Sequence, residues 1–166
     1  MIPFTIRRAG ESDIPLIRAL TMLVWPQTYA PILREDQISY MLELMYHPDA
    51  LLNQMNQRGH EFLILSANGT ECAFASWGMQ SSEIARLHKL YVLPTAQGTG
   101  AGKMLIDSII DQVFEQGGNV LELNVNKYNP AYTFYLKYGF LVVREEVLDI
   151  GNGYVMDDYV MQKRLS

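Results

Sequence analysis

"VLPTAQGTGAG" (residues 92–102) is the stretch on which the reading of this chain turns. It closes a strand-like run, EIARLHKLYVL, and opens onto Leu105, Ile106, Ile109, Ile110, Val113 and Phe114, spaced as on one face of a helix. Gly98, Gly100 and Gly102 stand at alternate positions, where glycine costs backbone entropy unless the main chain is bent unusually or approached closely. Bare peptide N–H groups at the mouth of a helix suit an anion, most often a phosphate. Two familiar phosphate loops fail on spacing. A P-loop aligned on Gly102-Lys103 puts Gln97 where its first glycine belongs and Met104 where its Mg²⁺-binding hydroxyl belongs. A dinucleotide fingerprint begun at Gly98 puts Lys103 at the third glycine, where helix and strand must touch. A merely flexible loop does not explain glycines set between a strand and an amphipathic helix.

Outward from the loop, the chain alternates strand and helix signals. PFTIRRA alternates as a strand, and ESDIPLIRALTMLVW follows as a capped helix. Two shorter helices are expected between Pro31 and Arg58, the first with Ile38, Met41, Leu42 and Met45 on one face. EFLILSANGTECAFASWGM is a hairpin signal, with Asn68-Gly69 supplying the positive φ of a type I′ turn. Gly117-Gly118 stops the helix after the loop, VLELNV is a strand, and NPAYTFYLKYGF is a short helix capped by Asn129, with Pro130 first and Gly139 past its end. Two strands close the chain, around LVVREEVLDI and DDYVMQKRL. The expected order is β-α-α-α-β-β-β-α-β-α-β-β, an α/β chain whose sheet is mixed because the hairpin demands antiparallel neighbours.

The 166 residues read as a single domain, and apolar residues at 49% with charged ones at 19% are a globular composition. Thirteen basic against 18 acidic side chains give a net charge of −5, which argues against nucleic acid as a partner and favours cationic ones. Cys72 is the only cysteine, so no internal disulfide forms, and a reducing compartment fits. No stretch has the length of a membrane span or of a signal-peptide core. The expectation is a cytoplasmic protein.

Gln97, Gly100 and Gly102 write Gln-x-x-Gly-x-Gly, and with LYVLP before it, KMLIDSII after it and NPAYTFYLKYGF downstream the chain resembles the GCN5-related N-acetyltransferases. The resemblance covers residues 60–165 well and the earlier ones in element order. It implies the fold of that family, with a splayed central strand pair, acetyl-CoA as cosubstrate and no metal. It implies that the CoA pyrophosphate lies on Gln97, Gly98, Thr99, Gly100, Ala101, Gly102 and Lys103. The helix dipole and charge-assisted hydrogen bonds favour it there. The pantetheine arm would pair like an added strand with Leu90, Tyr91 and Val92, and a backbone N–H near Tyr91 would face the thioester oxygen. Asn124 and Asn129 would flank the cofactor, Asn129 also serving as a helix cap.

By the same resemblance Tyr135, at the matching distance before Gly139-Phe140, protonates the departing thiolate, while Tyr128, Tyr132 and Tyr138 read as packing residues. Polyamine-acetylating relatives carry a glutamate base two residues before the first pantetheine-pairing residue. Here that position is His88, which either takes the amine proton through water or is an ordinary half-buried strand histidine. Glu83 and Glu122 are fallback bases. An acetyl-cysteine route through Cys72 is disfavoured, since no histidine lies near it in sequence. Five acids between Arg144 and Asp158 (Glu145, Glu146, Asp149, Asp157 and Asp158) either hold a cationic amine or form a solvated surface. Trp25, Tyr29, Tyr40, Met41, Met45 and Tyr46 could wall the acceptor or pack the core. The likeness is to bacterial polyamine N-acetyltransferases. Protein N-terminal or lysine acetylation, and an acyl-CoA-binding module without catalysis, stay open, as does a homodimer.

Overall fold

The computed structural model describes residues 3–165. They form strands β1 (Phe4–Arg8), β2 (Glu61–Ala67), β3 (Thr70–Met79), β4 (Ile84–Val92), β5 (Val120–Asn126), β6 (Leu141–Gly151) and β7 (Tyr154–Arg164). The helices are α1 (Ile14–Tyr29), α2 (Glu35–Tyr46), α3 (Pro48–Asn56), α4 (Ala101–Glu115) and α5 (Ala131–Lys137). The seven strands hydrogen-bond in the order β1-β2-β3-β4-β5-β7-β6, a mixed sheet as expected. The residues group into two compact units: the chain up to Gly78 with His88–Ile109, and Met79–Leu87 with the chain from Ile110 onward. Both β4 and α4 run from one unit into the other.

In the first unit β1 pairs antiparallel with β2, Ile6 opposite Leu65, and β2 turns into β3 at Asn68-Gly69, with φ of 53° and 81°. Both residues need positive φ, and the twist of the turn matches that of the strands it joins. Ile17, Leu20, Val24 and Trp25 of α1, Met41 and Tyr46 of α2, Leu51 of α3 and Phe62, Ile64, Leu65, Phe74 and Trp77 of β2 and β3 are all buried. The entry to α1 is tied by Arg7 Nη2 on Asp13 Oδ1 at 2.7 Å. That hydrogen bond holds the Asp13 carboxyl below the usual range.

In the second unit β4 and β5 run parallel, from Ile84 opposite Val120 to Leu87 opposite Leu123. The paired register ends there, although β4 continues to Val92 and β5 to Asn126. From Val120 to Asn126, β5 instead pairs antiparallel with β7. A second Asn-Gly turn, Asn152-Gly153 with φ of 55° and 80°, joins β6 to β7. It starts the last strand at Tyr154, ahead of the stretch DDYVMQKRL around which that strand is expected, because a two-residue hairpin brings its flanks into pairing at once. Helix α5 begins at Ala131 and not at Pro130. Asn129 Oδ1 accepts from Ala131 N at 2.9 Å, so it does satisfy an orphan N–H at the helix start.

Candidate active-site residues

The glycine loop lies wholly in the first unit. Gly98 and Gly100 have φ of 78° and 92°, and a Cβ built on either would meet nothing within 4 Å. The glycines therefore serve the turn and leave the space over the loop open; they do not relieve a packing clash. Gln97 Nε2 donates to Val92 O at 3.2 Å and pins the loop to the end of β4. Met104 N donates to Gly100 O at 3.0 Å, a helical bond at the start of α4, and the first N–H groups of a helix, here from Ala101 and Gly102, have no acceptor within it. Lys103 Nζ is paired with Asp107 Oδ2 at 2.9 Å, an exposed i,i+4 contact that a phosphate would compete with.

Leu90, Tyr91 and Val92 form the half-buried end of β4. The Tyr91 ring lies 6.0 Å from Trp25 and 5.8 Å from Phe74, and its hydroxyl is 3.4 Å from that of Tyr29. Trp25, Tyr29, Met41 and Tyr46 are thus core residues of this unit. His88, expected to be half-buried if structural, is exposed, and its ring stacks on His60 at 3.7 Å with the planes 12° apart. A Cβ on Gly78 would crowd Gly59 O at 3.3 Å and would be in ordinary van der Waals contact with the stacked rings, at 3.6 Å from His88 Nε2 and 3.8 Å from His60. Burial first, then the charges of Lys89 and Arg58, push His60 down to about 4.

The second unit holds Asn124, Asn129 and Tyr135. Tyr135 is buried on α5, its ring 5.4 Å from Phe134 and 5.6 Å from Phe140. Asn124 is bound at both ends, accepting from Arg86 Nη1 and donating to Asp158 Oδ2 at 3.2 Å. Glu122, 2% exposed, receives Arg86 at 2.8 Å, Arg144 at 3.3 Å and Gln162 at 3.2 Å. Burial alone would raise its carboxyl, but Gln162 and the two guanidiniums together hold it below the usual range. Such a carboxylate is a poor proton acceptor, which removes Glu122 as a fallback base.

The acids near the end of the chain do not act as one patch. Asp157 and Glu145 both pair with Lys127 and raise its ammonium well above its ordinary value, Glu145 having the larger effect. Glu146 lies 3.8 Å from Arg144, and Asp149 accepts from Gly151 N in the β6–β7 turn. Asp157 and Asp158 are neighbours on a strand and point to opposite faces, one to Lys127 and one to Asn124. Asp158 is 4% exposed, its Oδ1 has no hydrogen-bond partner among the described residues, and burial, Glu146 and Asp157 raise its carboxyl. Cys72 is buried and its thiol pushed up by burial, unsuited to nucleophilic attack.

Arg86 and Lys89 went unread in the sequence. Lys89 had a local signal: Ala85, Leu87 and Lys89 are successive inward positions of β4, so alternation alone predicts a buried lysine. Among the described residues no group of three or more His, Cys, Asp or Glu is placed to hold a metal ion, and no helix is long and apolar enough to cross a membrane.

Comparison with known proteins follows the same lines. The family described as the acetyltransferase (GNAT) domain matches residues 29–162. The ribosomal protein bS18-alanine N-acetyltransferase of Haemophilus influenzae is 43% identical over 56 residues, which are 34% of this chain and only 38% of that protein. An uncharacterized N-acetyltransferase of Mycobacterium tuberculosis is 23% identical over 155 residues, 93% of this chain and 99% of that one. The crystal structure of the PaiA N-acetyltransferase of Thermoplasma acidophilum, in complex with coenzyme A, has a TM-score of 0.83 at 24% identity and covers 98% of this chain and 99% of its own.

Proposed function

This chain belongs to the GNAT acetyltransferase family, and from that premise we propose that its residues act as one N-acetyltransferase domain. It moves the acetyl group of acetyl-CoA to a primary amine by direct attack in a ternary complex. The observation that carries the reading is the loop: Gly98 and Gly100 in the left-handed region, open space above both, and helix N–H groups left without helical acceptors. In this reading Gln97 to Lys103 hold the pyrophosphate, and the backbone of Leu90, Tyr91 and Val92 pairs with the pantetheine amides. Asn124 and Asn129 support the cofactor.

The amine nitrogen forms a bond to the thioester carbon, the C–S bond breaks, and Tyr135 gives the thiolate its proton. The ammonium first loses one proton through water to His88, and the second, shed by nitrogen after attack, replaces the one that Tyr135 gave. The acceptor is a small amine that arrives as an ammonium ion, polyamines included. Asp158 supports that class, because a buried carboxylate with one unpaired oxygen suits a cation. A protein N-terminus is the second reading, favoured by the relative whose name places its activity on the alanine of bS18.

The test is thiol release from acetyl-CoA with polyamines, amino acids, aminoglycosides and peptides as acceptors. Release with one class names the acceptor. If CoA binds and nothing in the panel releases thiol, the chain is an acyl-CoA-binding module and catalysis is withdrawn.

A further inference from the structure

Among the described residues no acid pairs with the buried lysine Lys89. The residue is 8% exposed, on β4 immediately before Leu90. Its Nζ lies 4.8 Å from the centroid of the Tyr46 ring, and Tyr46 packs edge-on to Trp25 at 5.6 Å. The charged groups that act on it are like-charged: Arg58 depresses it, and it in turn depresses His60. Among the described residues no carboxylate pairs with Lys89, in a chain with more acids than bases. Half-buried cations elsewhere do hold acids: Arg86 shares Glu122 with Arg144, and Lys127 holds Glu145 and Asp157.

An ammonium taken out of water needs a counter-charge, and an aromatic face supplies only part of one. A buried cation with an aromatic floor, cationic neighbours and no protein counter-ion is the shape of an anion subsite. We propose that Lys89 binds a carboxylate of the acceptor, which narrows the small amines of that reading to those that also carry an acid, the amino-acid class, and sets the polyamines aside. This rests on the acetyltransferase reading above, which puts the thioester-bearing arm on the next three residues. A carboxylate fits a single planar-floored ammonium better than a diphosphate, which the glycine loop already accommodates with several N–H groups. Burial and Arg58 push Lys89 down to about 8, and a bound carboxylate would reverse that cost.

Matched acceptors test it: lysine against cadaverine, ornithine against putrescine, and phenylalanine against phenethylamine, each with and without the acid. The wild type is expected to favour the acid of at least one pair by about ten- to a hundredfold in kcat/KM, the worth of a charge-assisted hydrogen bond. In Lys89→Met that ratio falls towards one through KM for the acid, and Lys89→Arg restores part of it. The methionine variant keeps its thermal shift with CoA, which shows that it is folded. The same pairs are compared by thermal shift without CoA: the acids raise Tm of the wild type and not of Lys89→Met. A ratio unchanged by Lys89→Met, preference for the decarboxylated partners, or no acid-dependent shift at millimolar concentration overturns the subsite. Thiol release with bare amines alone leaves the acetyltransferase reading standing without it. Acid binding at Lys89 with no thiol release for any amine leaves the subsite and removes the acetyl transfer.

Discussion

Two buried carboxylates in the second unit show how environment divides like groups. Glu122 has two guanidiniums and an amide and is held down against its burial; Asp158, with one amide, is held up by burial first and then by two acidic neighbours. The signs of their pH effects are opposite. Glu122 contributes stability that is present above the ordinary glutamate value and is lost as pH falls through its lowered folded value. Asp158 binds its proton more tightly folded than unfolded, so its contribution is greatest below the ordinary aspartate value and is lost as pH climbs to the raised one. Glu122→Gln, which strands Arg86, is expected to cost about 3–5 kcal/mol in urea unfolding at pH 7. Asp158→Asn is expected to stabilise at pH 7 by about 1–3 kcal/mol and to give almost no gain at pH 3.5. The same gain at both pH values would mean that the carboxyl titrates alike in the folded and unfolded chain and is not raised. Tyr135→Phe removes one hydroxyl and should cut kcat by about 10²–10⁴-fold with CoA affinity kept. A loss under about threefold would hand the proton to another group or to water.

At the scale of the element, α4 and the loop before it act together. The loop turns through two left-handed glycines, and the helix then leaves its first N–H groups without helical acceptors. Gly100→Val strains a backbone at φ 92° and fills the open space, so the thermal shift with CoA should vanish. Gly69→Ala, at φ 81° in the β2–β3 turn with nothing within 4 Å of its Cβ, carries comparable backbone strain away from the loop. It should lower Tm and keep the CoA shift. Equal CoA shifts in both variants would separate the glycine loop from phosphate binding.

For the whole molecule, a ligand that binds only the native chain stabilises it by mass action. CoA at a hundred times its Kd should add about 2.7 kcal/mol. That corresponds to roughly 5–10 °C in Tm for a chain of this size. A scan with CoA measures it, and dephospho-CoA should retain most of the shift if the pyrophosphate is the principal contact. A shift that disappears with dephospho-CoA would place the binding energy on the 3′-phosphate and off the loop.

The element order, both ends of the β2–β3 hairpin and the glycine turn ahead of α4 were legible in the residues alone. Each is decided within a few residues: Asn68-Gly69 by the need for positive φ, α4 by its 3.6-residue apolar period, and the start of α5 by the Asn129 side chain two residues ahead. What the residues alone did not disclose depends on which strand lies beside which. That Glu122 is a paired carboxylate and no base follows from β4, β6 and β7 bringing Arg86, Arg144 and Gln162 to it. That Asp157 and Asp158 serve different faces follows from the register of β7, which puts Asn126 opposite Asp158 and leaves Asp157 to Lys127. Lys89 lies between these cases. Strand alternation carries a signal of its burial that went unread, and only the tertiary structure shows an aromatic ring and like charges around it and no paired acid among the described residues, because the counter-charge of a buried group comes from residues distant in sequence.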